Sequence, residues 1–126
     1  MQLDRLDHLV LTVADIDATV RFYADILGME KVVFGEGRVA LSFGRQKINL
    51  HQKGAEFEPK AHLPTPGSAD LCFIATTPLE QVIAELRAGN VAIELGPVER
   101  TGVTGRMISV YLRDPDGNLI EISNYR

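Results

Sequence analysis

The sequence predicts an α+β fold built from two tandem βαβββ modules within one domain. Three observations carry this. Short apolar runs of strand character surround two helix-like stripes, the order strand, helix, three strands occurs twice, and a Pro/Gly-rich stretch separates the two occurrences. Module one is assigned to residues 1–53, the linker to 54–68 and module two to 69–126.

Residues 6–13 are apolar except for Asp7, His8 and Thr12, which predicts a strand covered on both faces. Asp15 stands where an N-cap belongs. Ile16, Val20, Tyr23 and Leu27 then fall on one helical face, and Gly28 supplies the stop. Residues 29–34, 38–43 and 47–52 read as strands joined by tight Gly-containing turns, an antiparallel meander. The linker holds Pro59, Pro64, Pro66, Gly54 and Gly67. In module two, residues 69–75 repeat the first strand. Thr77, Pro78 and Glu80 read as a cap, a first helical position and a capping-box partner. Leu79, Val82, Ile83 and Leu86 give the stripe, with Gly89 as the stop. Strands are expected at 91–95, 107–113 and 119–123, with a long loop at 99–105 and a turn at 114–118. Each module has about 60 residues, marginal for a core of its own.

The chain has 126 residues, 45% of them apolar and 24% charged, the profile of a globular protein. A net charge of −4 and a pI near 5.3 speak against nucleic acid as a partner. One cysteine, Cys72, permits no intrachain disulfide, and its apolar run reads as a small buried hydrophobe. No apolar stretch approaches the roughly 20 residues of a membrane span, and the N-terminus lacks an apolar signal region, so a cytoplasmic protein without membrane contact is expected.

Aligning the repeats on their helices pairs Ile16 with Leu79 and His8 with Leu71. Aligning them on their last strands pairs Leu50 with Ile120 and His51 with Glu121. Three of four equivalent strand positions, His8, His51 and Glu121, then carry metal-ligating side chains. Taken singly, His8 reads as a core or edge histidine, and His51 and Glu121 as exposed strand residues; the matched placement is what joins them. Two imidazoles and a carboxylate suit Fe, Mn, Ni, Co or Zn and leave positions open for substrate. His62 reads as a loop residue. Arg100 and Arg106 flank a glycine-containing loop as candidate anion-binding groups, and Tyr111 and Arg113 share a strand face with Ser109. Tyr23 reads as helix core. No G-x-S-x-G, P-loop, G-x-G-x-x-G or H-E-x-x-H motif occurs, and Asp114 and Asp116 belong to a turn.

Asp7-His8-Leu9-Val10-Leu11-Thr12-Val13 with Asp15, Arg21-Phe22-Tyr23 and Ile26-Leu27-Gly28-Met29 resembles the opening of the glyoxalase/bleomycin-resistance/extradiol-dioxygenase, or vicinal oxygen chelate, superfamily. Arg113-Asp114-Pro115-Asp116-Gly117-Asn118-Leu119-Ile120-Glu121-Ile122 resembles its closing motif, and Gly96-Pro97 also fits. More narrowly, residues 47–52 and 64–71 resemble a small-protein subgroup that includes virulence-associated lactoylglutathione-lyase-like proteins. The resemblance implies paired βαβββ modules forming a curved, incomplete β-barrel with flanking helices, a concave metal site and a homodimer. The ligands it implies fall on His8, His51 and Glu121, with Glu121 also the catalytic candidate. The chain departs from glyoxalase I at Leu71, with Asp70 beside it, where the lyase has a fourth ligand.

The function implied is a divalent-metal-dependent lyase, isomerase or dioxygenase acting on a small oxygenated substrate. The alternative is metal-free binding of a drug or metabolite, as in bleomycin-resistance members. A third reading is a stress or virulence protein whose dimer surface engages another protein.

Overall fold

A computed structural model describes all residues, Met1–Arg126. The chain forms two compact units, Met1–Pro66 and Gly67–Arg126. Each is a βαβββ module around one mixed four-stranded sheet.

In the first unit, β1 (His8–Val13) runs parallel to β4 (Gln46–Gln52), and β3 (Arg38–Phe43) and β2 (Glu30–Phe34) continue antiparallel, giving the order β1-β4-β3-β2. Period-two alternation sends Leu11, Val13, Leu41, Ile48 and Leu50 to one face, where all are buried. The helix contributes Thr19, Phe22 and Tyr23 to the core, with the two rings edge to face. Asp15 caps it, accepting from the Ala18 amide. The single expected helix has two parts: α1 (Ile16–Val20) passes into a π-helical segment (Arg21–Ile26). There the Leu27 amide bonds back to the Phe22 carbonyl, five residues earlier, before Gly28 ends the segment at φ 78°.

In the second unit, β5 (Asp70–Ile74) runs parallel to β8 (Leu119–Tyr125), followed by β7 (Arg106–Arg113) and β6 (Leu95–Thr101). Helix α2 (Leu79–Ala88) packs Leu79, Val82 and Leu86 beside a core holding Val110, Leu112, Ile120 and Ile122.

Two local expectations are corrected here. The third strand from the end spans Leu95–Thr101, not 91–95, so most of the expected 99–105 loop is strand. Gly96-Pro97 masked it. The strand lies at the sheet edge and its register shifts between Leu95 and Val98, a setting that tolerates proline. The start of α2 has no Thr77 capping box. Pro78 is the N-cap residue and makes no side-chain cap; the Leu79 amide is instead accepted by Asn124 Oδ1 at 2.7 Å. Gly89 does terminate α2, but the left-handed residue is Asn90 at φ 57°. The 114–118 turn forms as read. Asp114 Oδ1 accepts from the Asp116 and Asn118 amides, and Oδ2 from Asn118 Nδ2. No helix is long and apolar enough to cross a membrane.

Candidate functional site

The sheet face opposite each core carries the polar residues. In module one, strand pairing puts His8 and Val10 of β1, Lys47, Asn49 and His51 of β4, and Arg38 of β3 on one face. His8 lies at the open end of β1. Its Nδ1 is 2.8 Å from the Asp7 carboxylate, and this contact holds the Asp7 carboxyl below its ordinary pKa. A carboxylate on Nδ1 fixes the ring and leaves Nε2 as the free nitrogen, an arrangement common behind metal-bound histidines.

His51 is different. It is only 3% exposed, and its Nε2 lies 3.3 Å from Arg38 Nη2. A guanidinium has no acceptor, so Nε2 must accept and the proton sits on Nδ1. Burial, then the Arg38 charge, push the His51 pKa down. The Phe57 ring stands edge-on against the imidazole, 5.6 Å between centroids. The Nε2 lone pair that a metal needs is thus occupied. In register, His51 faces Thr12, four residues beyond His8, which is roughly 13 Å along the strand. Zn–N bonds are only about 2.0–2.1 Å, so His8 and His51 do not share one centre.

The residue near His8 is Asn49. It pairs with Val10, two residues from His8, or roughly 7 Å along the strand and about 5 Å across. Asn49 is 6% exposed, and its Oδ1 is buried without a hydrogen-bond partner.

In module two, Glu121 pairs with Cys72 on β5 and Tyr111 on β7, on the face opposite the core. Ser123 Oγ donates to Glu121 Oε2 at 3.2 Å and lies 2.6 Å from Ser109 Oγ. Glu121 borders a cavity of about 510 Å³ that is also lined by Cys72, Ile74, Arg100, Val103 and Met107. Asp70 pairs with Leu119, two residues from Glu121, as His8 stands to Asn49. Within neither module do three His, Cys, Asp or Glu side chains gather into a group that could hold an ion.

The alignment of the repeats that joined His51 to Glu121 is therefore corrected. Gln52 and Asn124 decide it. Gln52 Oε1 accepts from the Ile16 amide and its Nε2 donates to the Ala14 carbonyl. Asn124 Oδ1 accepts from the Leu79 amide and its Nδ2 donates to the Ala75 and Thr77 carbonyls. Each amide ties the first helical residue to the end of the first strand. Aligned on them, Glu121 matches Asn49, Ser123 matches His51, and the strand pairing makes His8 equivalent to Asp70, not Leu71.

The other expectations divide. Cys72 is exposed, not buried: β5 turns it to the Glu121 face, which its own module leaves uncovered. Partial desolvation, then Glu121, raise its pKa, so the thiol stays protonated at neutral pH. Arg100 reaches Tyr111, its Nε donating to the phenol oxygen at 2.9 Å. Arg106 pairs with Thr101 and points to the opposite face, so the two arginines expected as anion-binding groups do not converge. Arg113 is held by Glu94 through two contacts of 3.0 and 3.1 Å. Tyr23 is core and His62 is exposed. Asp70, named from sequence only as the neighbour of Leu71, takes the equivalent position itself; the sequence reading does not single out Asn49 or Arg38, and the matched triplets Ile48-Asn49-Leu50 and Ile120-Glu121-Ile122 are the signal that marks Asn49.

The fold and the end motifs meet in one comparison: residues 5–122 match the model of the Glyoxalase/Bleomycin resistance protein/Dioxygenase superfamily. The chain belongs to this superfamily. It is 62% identical to Virulence protein STM3117 of Salmonella typhimurium, over 99% of this chain and 87% of that protein. The crystal structure of that protein covers both chains fully at 61% identity with a TM-score of 0.98. The glyoxalase domain-containing protein RDO1 of Mycosarcoma maydis is 54% identical over 96% of this chain and 68% of its own length. A more distant superfamily relative, 27% identical over 97% of this chain and 82% of its own length, is the metallothiol transferase FosB of Staphylococcus epidermidis.

Proposed function

We propose that this chain is a divalent-metal-dependent enzyme of glyoxalase or dioxygenase type acting on a small oxygenated molecule. The observation that carries the reading is His8, whose Nδ1 is held by Asp7 while its Nε2 stays free on the polar sheet face. The donors proposed are His8 and Glu121, with Asn49 and Asp70 at the equivalent repeat positions; His51, the third donor expected from sequence, does not fit because its Nε2 already accepts from Arg38. Mixed nitrogen and oxygen donors suit Fe, Mn, Ni, Co or Zn. Such an ion supplies Lewis-acid polarisation of a carbonyl or stabilisation of an enolate.

The chain's own residues do the rest. Asp7 orients His8. Ser123 orients Glu121, the one carboxylate lining the module-two cavity, which accepts a proton where it is not a ligand. Tyr111, its pKa raised by burial, is a neutral phenol beside Glu121 and is positioned by Arg100. We further propose a cytoplasmic homodimer with a small molecule as its partner.

Metal-free binding of a small molecule is the second reading, favoured by the apolar lining that Ile74, Val103 and Met107 give the cavity. Elemental analysis of untagged, chelator-free protein separates the two. Near one equivalent of transition metal per chain, lost in His8→Ala and Glu121→Ala, supports the enzyme. No stoichiometric metal after anaerobic reconstitution with Fe(II), Mn, Ni, Co and Zn overturns it and leaves the binder.

A further inference from the structure

Arg38 is a cation without a counter-ion. No carboxylate lies within ion-pair distance of it, although six such pairs form elsewhere in the chain. Its guanidinium carbon sits 5.1 Å from the Phe34 ring centroid and 4.8 Å from that of Phe57. Its Nη2 donates to the neutral His51 ring, and its Nε is buried with no partner. A second cation shares the ring: Lys47 Nζ is 3.9 Å from the Phe34 centroid. The two carboxylates that flank Phe57 are engaged elsewhere, Glu56 by the Gly54 amide at 2.7 Å and by Lys60, and Glu58 by Lys60 at 3.2 Å. Desolvating a guanidinium while leaving a donor unmade is costly, and bringing a second cation to the same ring adds repulsion. The aromatic rings and His51 hold Arg38 in one orientation in spite of this. An arginine fixed in place with an unpaired Nε–H is preorganised for a planar two-oxygen anion.

The geometry points to Arg38 as the receptor of a substrate carboxylate, with Lys47 adding charge, Phe34 and Phe57 holding the guanidinium, and His51 as a positioning residue. The carboxylate takes the unpaired Nε–H and the second Nη2–H, the one that His51 does not accept. Arg38 is two residues from Ala40, the register partner of Asn49, so the anion lies one strand from Asn49. The substrate is then a small carboxylic acid with a further oxygen function a few atoms from its carboxylate. This inference rests on reading the polar face as the substrate face, but not on any metal being bound.

The test uses the intact protein and two probes of similar shape, succinate and its neutral diamide succinamide. The readout is the Arg38 Nε–H signal in nitrogen-15 NMR, recorded on metal-free and metal-loaded protein. A saturable shift with succinate and none with succinamide is expected. Arg38→Gln should weaken succinate binding at least about tenfold, the loss expected of a charge-assisted pair, while Arg38→Lys keeps part of it. No saturable shift, an equal response to succinamide, a response to inorganic phosphate alone, or undiminished succinate binding in folded Arg38→Gln overturns the proposal. The wild-type titration decides the matter even where Arg38→Gln fails to fold. Metal content measured on the same samples keeps the two readings apart: succinate binding without metal sinks the metalloenzyme alone, and metal without succinate binding sinks the carboxylate site alone.

Discussion

Gln52 and Asn124, 72 positions apart in sequence, make the same connection in the two modules. Each side-chain amide accepts from the first backbone N–H of its module's helix and donates back to carbonyls after the first strand. Replacing Asn124 with alanine leaves one amide and two carbonyls unpartnered in a half-buried place. A loss of about 1–3 kcal/mol is expected in urea unfolding. Gln52→Ala should cost a similar amount. A change under about 0.5 kcal/mol in both would show that water replaces these bonds at no cost.

His51→Leu, which leaves no acceptor, separates two roles for that residue. A ligand at this position would cost metal stoichiometry when lost. The Arg38 contact predicts instead that elemental analysis finds metal content unchanged. Thermal stability should fall, because Arg38 loses the acceptor for its Nη2 hydrogen bond. The same comparison with His8→Gln should show metal loss with little change in melting, since His8 is exposed and makes one surface pair.

Gly96 admits no side chain. Its φ is +115°, and a Cβ would stand 2.5 Å from the Ser109 carbonyl oxygen and 3.0 Å from the Val110 Cα. Neither obstacle is a flexible side-chain tip. Gly96→Ala is expected to cost about 2–4 kcal/mol, read from the shift in denaturation midpoint. Gly37→Asn is the control, because nothing lies within 4 Å and asparagine tolerates positive φ. It should cost about 1 kcal/mol or less.

Tyr111 and Tyr125 should ionise at different pH. Hydrogen bonds from Thr104 lower the Tyr125 pKa, so this phenolate forms first as pH rises. Burial raises that of Tyr111, a shift that the Arg100 hydrogen bond opposes and Glu121 reinforces. Absorbance at the phenolate band should therefore rise over a broad interval. Tyr125→Phe should remove the early part and Tyr111→Phe a late part. A single narrow step lost equally in both variants would contradict this order.

The elements were legible in the sequence where side-chain alternation or helical spacing was strong. Leu11 and Val13, Ile48 and Leu50, and Leu79, Val82 and Leu86 of the α2 stripe went to the core as their spacing required, while Ile83 stayed at its half-buried border. Strand β6 was not legible, because Gly96-Pro97 looks like a break and only the sheet edge makes it admissible. The site was half legible. The phase of β4 is clear from sequence, since Lys47, Asn49 and His51 must share a face. A slip of two residues keeps that phase, so the alternation alone does not separate Asn49 from His51 as the equivalent of Glu121. The helix-tying amides do, and they act only once the chain is folded. Cys72 was misjudged for a related reason: an apolar run can be buried on one face and open on the other.

That open face makes the chain's single thiol a natural attachment point. Cys72 borders the cavity beside Glu121, and no other cysteine competes for a reagent. With its pKa raised, it reacts slowly at neutral pH and faster in mild base, so labelling is controlled by buffer choice. A fluorophore or fluorine tag placed there would report directly on whatever enters the cavity, and protection from alkylation by an added compound would serve as a first screen for ligands without knowledge of the reaction.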